Sequence, residues 1–320
     1  MADEEEKPSK QITGPVIKAP KKSSPMQHTI AQQVAAAIAT VTFYPFDVVK
    51  MRFMSQDGTA TRNHNQRYYT STFSALRCIR EEEGLKTLFR GAHVSVLGVL
   101  VSWGVYMMLY RLLVDHFRDE LSMAGFSSSA LISVFASACS AFVGNPIWVI
   151  KTRMQLEAVS SNKTLHYATF RGGLTHAART GAITSLWRGF SAAVLLSFPN
   201  SFLLPTYESF KGLRMKAKGK DTLTMPEICC CSVAAKTSIA VISHPIIVLK
   251  TRLQDERSRH GEVQYRNLPK TFMTTVQREG LHGLFRGLGP AMCQAIPRNL
   301  LQFTLYEAFL AYSKGQQTAQ

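Results

Sequence analysis

Two short patterns recur three times in this chain, in step, at a period of about 100 residues. Pro45-Phe46-Asp47-Val48-Val49-Lys50-Met51-Arg52 returns as Pro146-Ile147-Trp148-Val149-Ile150-Lys151-Thr152-Arg153 and as Pro245-Ile246-Ile247-Val248-Leu249-Lys250-Thr251-Arg252, the prolines lying 101 and 99 residues apart. The second pattern, Glu83-Gly84-Leu85-Lys86-Thr87-Leu88-Phe89-Arg90-Gly91, returns over 181–189, ending Leu186-Trp187-Arg188-Gly189, and over 279–287, ending Leu284-Phe285-Arg286-Gly287. Its last glycines are 98 residues apart each time. A single copy of either pattern would carry almost nothing; both in register three times are beyond chance, and such a repeat decides the fold before any helix is assigned.

Between these landmarks, apolar stretches run over about 28–54, 90–117, 127–156, 187–212, 226–255 and 285–312, each long enough to span a bilayer as a helix. Every stretch mixes Ser, Thr, Gln or Asn with its apolar residues, as suits a helix with one face on lipid and another on an aqueous cavity. Buried helices of a soluble α-protein are the competing reading. In the odd-numbered stretches the motif proline lies near one end, before a basic pair and a polar loop. Its missing N–H should kink the helix and bring three helix ends to one membrane depth. The loops after them are basic, Arg62, Arg67, Lys163 and Arg257 among them, and short amphipathic helices are expected near 68–82, 166–179 and 265–277. The predicted fold class is an all-α membrane protein of six transmembrane helices in three repeats, at 27–123, 124–221 and 222–313, with tails at 1–26 and 314–320.

Lys and Arg number 37 against 21 Asp and Glu, a net charge of +16, which suits nucleic acid, anionic lipid or an anionic substrate. Position separates them. The bases sit in loops at repeat ends rather than on one exposed stripe, and no reading motif appears, so a basic nucleic-acid-associated α-protein is the weaker alternative and no nucleic-acid partner is expected. Cys78, Cys139, Cys229, Cys230, Cys231 and Cys293 contain no C-x-x-C pair and have no nearby histidine cluster, which argues against a disulfide scaffold or a metal site. No nucleophile–base pairing or phosphate-cradling glycine loop is found, so neither an enzyme nor a bound cofactor is expected. The N-terminus, with Asp3-Glu4-Glu5-Glu6, lacks the apolar core of a signal peptide, and its early acids disfavour a matrix presequence.

A charge inside a bilayer must face water or a partner. Lys236 falls in the middle of the fifth stretch and Arg298 follows Pro297 in the sixth, with no Asp or Glu at comparable depth. Two bases without an acid form an anion site by Coulomb attraction. The bland alternatives are snorkelling for Lys236 and a helix-packing bond for Arg298.

The threefold proline–acid–base motif followed by the glycine motif resembles the mitochondrial carrier family, from about 28 to 313. That resemblance implies a pseudosymmetric barrel of six tilted helices, with both termini cytosolic and three loops in the matrix. It also implies alternating access around a central site, closed at either end by salt bridges. The setting implied is the mitochondrial inner membrane, or a peroxisome-like organelle, with the protein a monomer and anionic lipid such as cardiolipin at the matrix-side helix ends. Asn145-Pro146-Ile147-Trp148, Ser102-Trp103-Gly104-Val105-Tyr106, Lys236 and Thr251-Arg252-Leu253-Gln254-Asp255 resemble carriers of folate and flavin, and of nicotinamide and pyrimidine nucleotides.

By the same resemblance, contact points lie seven residues beyond the motif glycines, at Gly98, Leu196 and Gln294. The helical faces there add Ser102 and Tyr106, Ser197 and Asn200, and Arg298. Tyr106 offers a ring and a hydroxyl for a nucleobase or pterin, or packs between helices like Trp103. The implied matrix gate comprises Asp47, Lys50, Lys151 and Lys250 with Gln155 and Gln254. Here only Asp47 keeps its acid; Trp148 and Ile247 occupy the other two slots, Asp47 is expected to pair with Lys151, and Lys50 and Lys250 are expected to lack an acid and to repel each other. Trp148 is expected to fill the space of the missing acid. The cytosolic gate is reduced to Glu208, Lys211 and Glu307. The function implied is transport of an anionic nucleotide-like metabolite of the FAD, folate, NAD or pyrimidine nucleotide class. The alternatives are another anion, such as a carboxylate or adenine nucleotide, and a carrier-fold protein that binds without transporting.

Overall fold

The computed structural model describes residues 25–57, 69–117, 126–157, 165–180, 183–219, 223–256 and 265–318. Residues 1–24 of the N-terminal tail and the loop bases Arg62, Arg67, Lys163 and Arg257 lie outside them. The described chain is helical throughout. The first repeat holds α1 (Pro25–Thr42), α2 (Tyr44–Ser55), the short α3 (Thr72–Glu83), a 3-10 turn and α4 (Ala92–His116). The second holds α5 (Phe126–Leu156), α6 (Phe170–Arg179), another 3-10 turn, and then α7 (Phe190–Leu195), α8 (Ser197–Ser201) and α9 (Leu203–Lys218). The third holds α10 (Met225–Gln254), α11 (Leu268–Glu279), a 3-10 turn and α12 (Leu288–Thr318), which continues through most of the expected C-terminal tail.

Of the three motif prolines, one lies beside a helix break. Before Pro45 the helix breaks at Phe43, and α1 and α2 meet at a 63° bend. Pro146 and Pro245 instead sit inside unbroken helices. An unexpected interruption divides the fourth stretch at Leu196 and Phe202, where Pro199 and Pro205, lacking N–H donors, leave only short helical turns. Among the described residues, three helical segments are long and apolar enough to cross a membrane, Leu85–His116, Ile132–Leu156 and Pro226–Gln254, or four if the bent α1–α2 pair counts as one. Exposed Leu100, Met108 and Leu112 on α4, Phe135 on α5 and Ile242 on α10 give an outward apolar surface that suits lipid.

Neighbouring repeats meet along α4 and α5, α9 and α10, and α12 and α1, while α2, α5 and α10 also touch one another pairwise. That three-way contact lies at the proline-bearing end, where the buried apolar clusters repeat: Val49, Phe53, Ile79 and Leu88 in one, Ile150, Met154 and Leu186 in the next. What closes it is a relay of buried arginines. Arg52 Nε donates to the carbonyl of Gln155 at 3.3 Å, Arg153 Nε to that of Gln254 at 3.3 Å, and Arg252 Nε to that of Met54 at 3.2 Å. Each repeat thereby holds the next, at the residue two positions past the next repeat's own arginine. A guanidinium has enough donors to do this while its other edge is forked onto a carboxylate. Arg52 reaches both oxygens of Glu83 at 2.5 and 2.8 Å, and Arg252 both oxygens of Glu279 at 2.5 and 3.0 Å.

The second repeat has Gly181 where the others have Glu83 and Glu279. Arg153 turns to the Tyr167 hydroxyl at 2.9 Å and to Ser185 Oγ at 3.0 Å, and the Tyr167 hydroxyl donates in turn to Glu256 at 2.9 Å. Burial pushes the Tyr167 phenol up to about 12, so it remains a donor to Glu256 at neutral pH. The motif glycines fit beneath this ring. Gly91, Gly189 and Gly287 have φ of 85°, 77° and 79°, and a Cβ on Gly287 would stand 3.2 Å from the Lys50 carbonyl oxygen. The equivalent atom on Gly189 would face the Lys250 carbonyl and that on Gly91 the Lys151 carbonyl, the same cyclic pattern.

Removing one partner of a buried ion pair strands the other charge. Glu83 is 1% exposed at its side chain beside Arg52 at 0%, whereas Arg77 is 82% exposed beside Glu81. Arg52→Ala should therefore cost about 3–5 kcal/mol and lower the unfolding temperature of the detergent-purified protein by several degrees. Arg77→Ala should leave that temperature within error, and equal effects would refute the relay's role.

Candidate functional site

Asp47 is the hub of the proline end. It is 7% exposed, and four side chains converge on it. Lys151 reaches Oδ2 at 2.6 Å, Lys50 reaches Oδ1 at 2.7 Å, Gln155 donates to Oδ2 at 2.9 Å and Gln294 donates to Oδ1 at 3.0 Å. Beyond α2 and its own Lys50, two further helices are thus tied to one carboxylate: α5 through Lys151 and Gln155, and α12 through Gln294. Gln155 also donates to the Tyr44 hydroxyl at 2.9 Å, and Gln294 accepts from Lys50 at 2.8 Å. Gln254 accepts from Thr152 at 3.0 Å and links α10 to α5 without a charge.

Lys50 is where the structure corrects the sequence reading. It is not left without an acid, because a residue three positions along α2 lies on the same helical face as Asp47 and the two meet directly. No carboxylate at position 247 competes for it. Lys250 alone, of the three motif lysines, makes no ion pair or hydrogen bond among the described residues, as expected for a lysine without an acid at 148 or 247. Trp148, in the second vacant slot, stands against Gly98 and Gly144, donates to Ser102 Oγ at 3.2 Å, and places its ring 5.5 Å from the Lys151 ammonium.

Above this cluster is an open cavity of about 610 Å³ between α4, α5, α7–α8 and α10. Ser102, Trp103, Tyr106, Ser133, Trp148, Leu196, Ser197, Asn200 and Lys250 line it. Tyr106 hydrogen-bonds Ser133 at 3.1 Å, meets Trp103 edge-on and stacks on Tyr110, so the aromatic wall is held in place. Asn200 also lines a second hollow of about 350 Å³ with Tyr207 and Lys236, and Lys236 lines a third, smaller one with Gln32 and Asn299. Lys236 Nζ lies 3.5 Å from Asn299 Oδ1, and the buried Nε of neighbouring Arg298 has no hydrogen-bond partner among the described residues. Among the described residues, no Asp or Glu lines any of the three cavities.

Of the residues expected at a substrate site, Ser102, Tyr106, Leu196, Ser197 and Asn200 line one cavity, and Asn200 also lines the neighbouring hollow with Lys236. Two do not. Gln294, 5% exposed, belongs to the Asp47 cluster, and Gly98 is covered by the Trp148 indole, with 3.2 Å between that ring and the position of a Cβ. At the opposite end Glu208, Lys211 and Glu307 make no ion pair among the described residues. Sequence reasoning missed the arginine relay and Tyr44. The signal was present in Arg52, Arg153 and Arg252 closing each first motif, but a surface basic pair is the ordinary reading of such residues.

The family model described as "Mitochondrial carrier protein" matches this chain three times, at residues 21–121, 122–218 and 221–316. The chain belongs to the mitochondrial carrier family. Among similar proteins, mitochondrial substrate carrier family protein M of Dictyostelium discoideum is 27% identical over 281 residues, covering 86% of this chain and 91% of that one. Folate transporter 1, chloroplastic, of Arabidopsis thaliana is 27% identical over 312 residues, covering 92% and 97%. The mitochondrial pyrimidine nucleotide transporter RIM2 of Saccharomyces cerevisiae is 24% identical over 321 residues, covering 88% and 85%. In this carrier two motif lysines and two glutamines gather on a single carboxylate at the proline end, while Glu208, Lys211 and Glu307 at the far end make no ion pair among the described residues.

Asp47→Asn keeps the shape of the hub and removes its charge, leaving Lys50 and Lys151 close together without an anion. The expected result is a loss of about 3 kcal/mol in the closed, empty protein, read as a fall of several degrees in unfolding temperature, with uptake into liposomes reduced at least tenfold. Unchanged stability and uptake would mean that packing around Trp148 and the prolines closes this end without electrostatics.

Proposed function

We propose that this carrier moves an anionic, ring-bearing metabolite of the nucleotide, dinucleotide, flavin or folate class across the mitochondrial inner membrane by alternating access, and is not an enzyme. One observation carries the reading. The cavities hold lysines and an ordered aromatic group, and among the described residues no Asp or Glu lines them, so the attraction is for an anion with a flat ring. The names of the relatives, which include folate, pyrimidine nucleotide and nicotinamide adenine dinucleotide transporters, support it. Lys236 is assigned to the anionic group with Arg298 beside it, Asn200 and Ser197 to polar edges, and Tyr106 to the ring. Asp47 with Lys50, Lys151, Gln155 and Gln294 serves as the gate at the proline end, Gln254 as a neutral brace beside it, and Glu208, Lys211 and Glu307 as the partial gate opposite. The working unit is a monomer, with anionic lipid such as cardiolipin at the proline-end helix termini.

The unliganded protein should be stabilised by members of this class and by few other anions, because a ligand that binds only the folded state raises its unfolding temperature. Screening FAD, NAD, folate and UTP against citrate and ADP in a thermal-shift assay, followed by liposome uptake of any compound that shifts, tests both class and transport. A shift without uptake would leave a binding protein; a shift with citrate alone would make it a carboxylate carrier. With the responding compound as probe, Lys236→Ala should weaken uptake about tenfold or more, the worth of one charge-assisted hydrogen bond. Exposed Lys218, paired with Glu227 at the end of α9, should be dispensable.

A further inference from the structure

Lys250 is the one motif lysine that the gate does not use. Lys50 and Lys151 both close on Asp47, at 2.7 and 2.6 Å. By the repeat, a carboxylate could reach Lys250 from two places: one turn earlier on its own helix, as Asp47 reaches Lys50, or from the preceding repeat, as Asp47 reaches Lys151. The first place is Ile247 and the second is Trp148. Trp148 is committed elsewhere, its Nε1 on Ser102 and its ring toward Lys151. An ammonium in a membrane-spanning helix needs water or an anion. Lys250 lines the 610 Å³ cavity together with Trp103, Tyr106 and Asn200.

We propose that Lys250 is a cargo-binding residue rather than a gate residue: its ammonium takes the phosphate or carboxylate of a cargo whose ring lies against Trp103 and Tyr106. The inference rests on the transport reading above and deepens it, adding a second cation deeper than Lys236. On α10 the two lysines are 14 residues apart, about 21 Å along a straight helix. Cargo would therefore meet Lys236 first and Lys250 only at the bottom of the cavity, next to the Asp47 hub. Loss of the acids at 148 and 247 and the presence of a free lysine in the cavity are then one adaptation, since either acid would occupy Lys250 and compete with the cargo. Selection for charge is the consequence: an anionic nucleotide should depend on Lys250, and its neutral nucleoside should not.

The test uses full-length protein, with FAD and UTP as anionic probes, riboflavin and uridine as neutral counterparts, and folate as the carboxylate probe. In Lys250→Gln, affinity for the probe that binds wild type should fall about tenfold or more, with KM for uptake raised and kcat little changed, while a neutral counterpart that binds wild type should bind the variant equally. Lys250→Arg should recover most of the affinity. The empty Lys250→Gln protein should unfold at or above the wild-type temperature, because no pair is lost. Ile247→Asp, with Lys250 intact, should also weaken anion binding about tenfold by pairing with it as Asp47 does with Lys50. Wild-type protein that binds none of the anionic probes would defeat the transport reading and this inference together. Wild-type binding that persists unchanged in both Lys250→Gln and Ile247→Asp would defeat the inference alone. Loss of kcat at constant KM would return Lys250 to the gate and overturn it as well.

Discussion

Three buried arginines, each donating to a carbonyl of the following repeat, are the constraint on which the rest of this carrier depends. Arg52, Arg153 and Arg252 are at most 2% exposed, and a buried guanidinium is tolerable only when its donors are all directed at acceptors. That requirement fixes how far one repeat can move against the next at the proline end. It also fixes where the motif glycines must lie, with left-handed backbone close to the carbonyls of Lys50, Lys151 and Lys250. The second-motif arginines extend the ring: Arg90 donates to the Glu157 carbonyl at 3.2 Å and Arg286 to the Gln56 carbonyl at 2.9 Å. Backbone acceptors do not depend on side-chain identity, so this framework stays threefold even where the sequence does not.

On that symmetric frame the charges facing the cavity are asymmetric. One carboxylate, Asp47, serves two lysines and two glutamines. A carboxylate has about four acceptor directions, so this single group can be saturated without the acids that the other repeats lack. Trp148 and Ile247 fill their places with apolar volume, and the link at Gln254 and Thr152 is uncharged. Side-chain charge pairing between the motif helices at this end accordingly centres on Asp47, and a ligand or substitution that disturbs it acts on α2, α5 and α12 together.

The fold was legible because the repeat is long, strict and doubled; helix number and order derive from it, and the short helices at 72–83, 170–179 and 268–279 begin within a few residues of where amphipathicity placed them. The helix breaks were not. Pro45, Pro146 and Pro245 look alike in sequence, yet only Pro45 lies next to a break, since tertiary packing settles whether the loss of one backbone hydrogen bond interrupts a helix. Charge pairing was legible across repeats, as for Asp47 and Lys151, but not within one, because Lys50 can reach Asp47 along its own helix once Ile247 offers it nothing. Gln294 illustrates the same limit: its register marks a contact point, and only packing shows that it turns toward Asp47.

The proline end is held by one carboxylate that binds side chains from all three repeats, while Lys250 stands apart from it. Double-mutant cycles on unfolding free energy measure this directly, pairing Asp47→Asn with Lys151→Gln and, separately, with Lys250→Gln. Groups in one buried network couple by about 0.5–3 kcal/mol, and independent ones add within about 0.5 kcal/mol. Coupling in the first range is predicted for Asp47 with Lys151, and additivity for Asp47 with Lys250. Equal coupling in the two cycles would contradict the claim, since that is the result of a symmetric ring in which all three lysines close the gate.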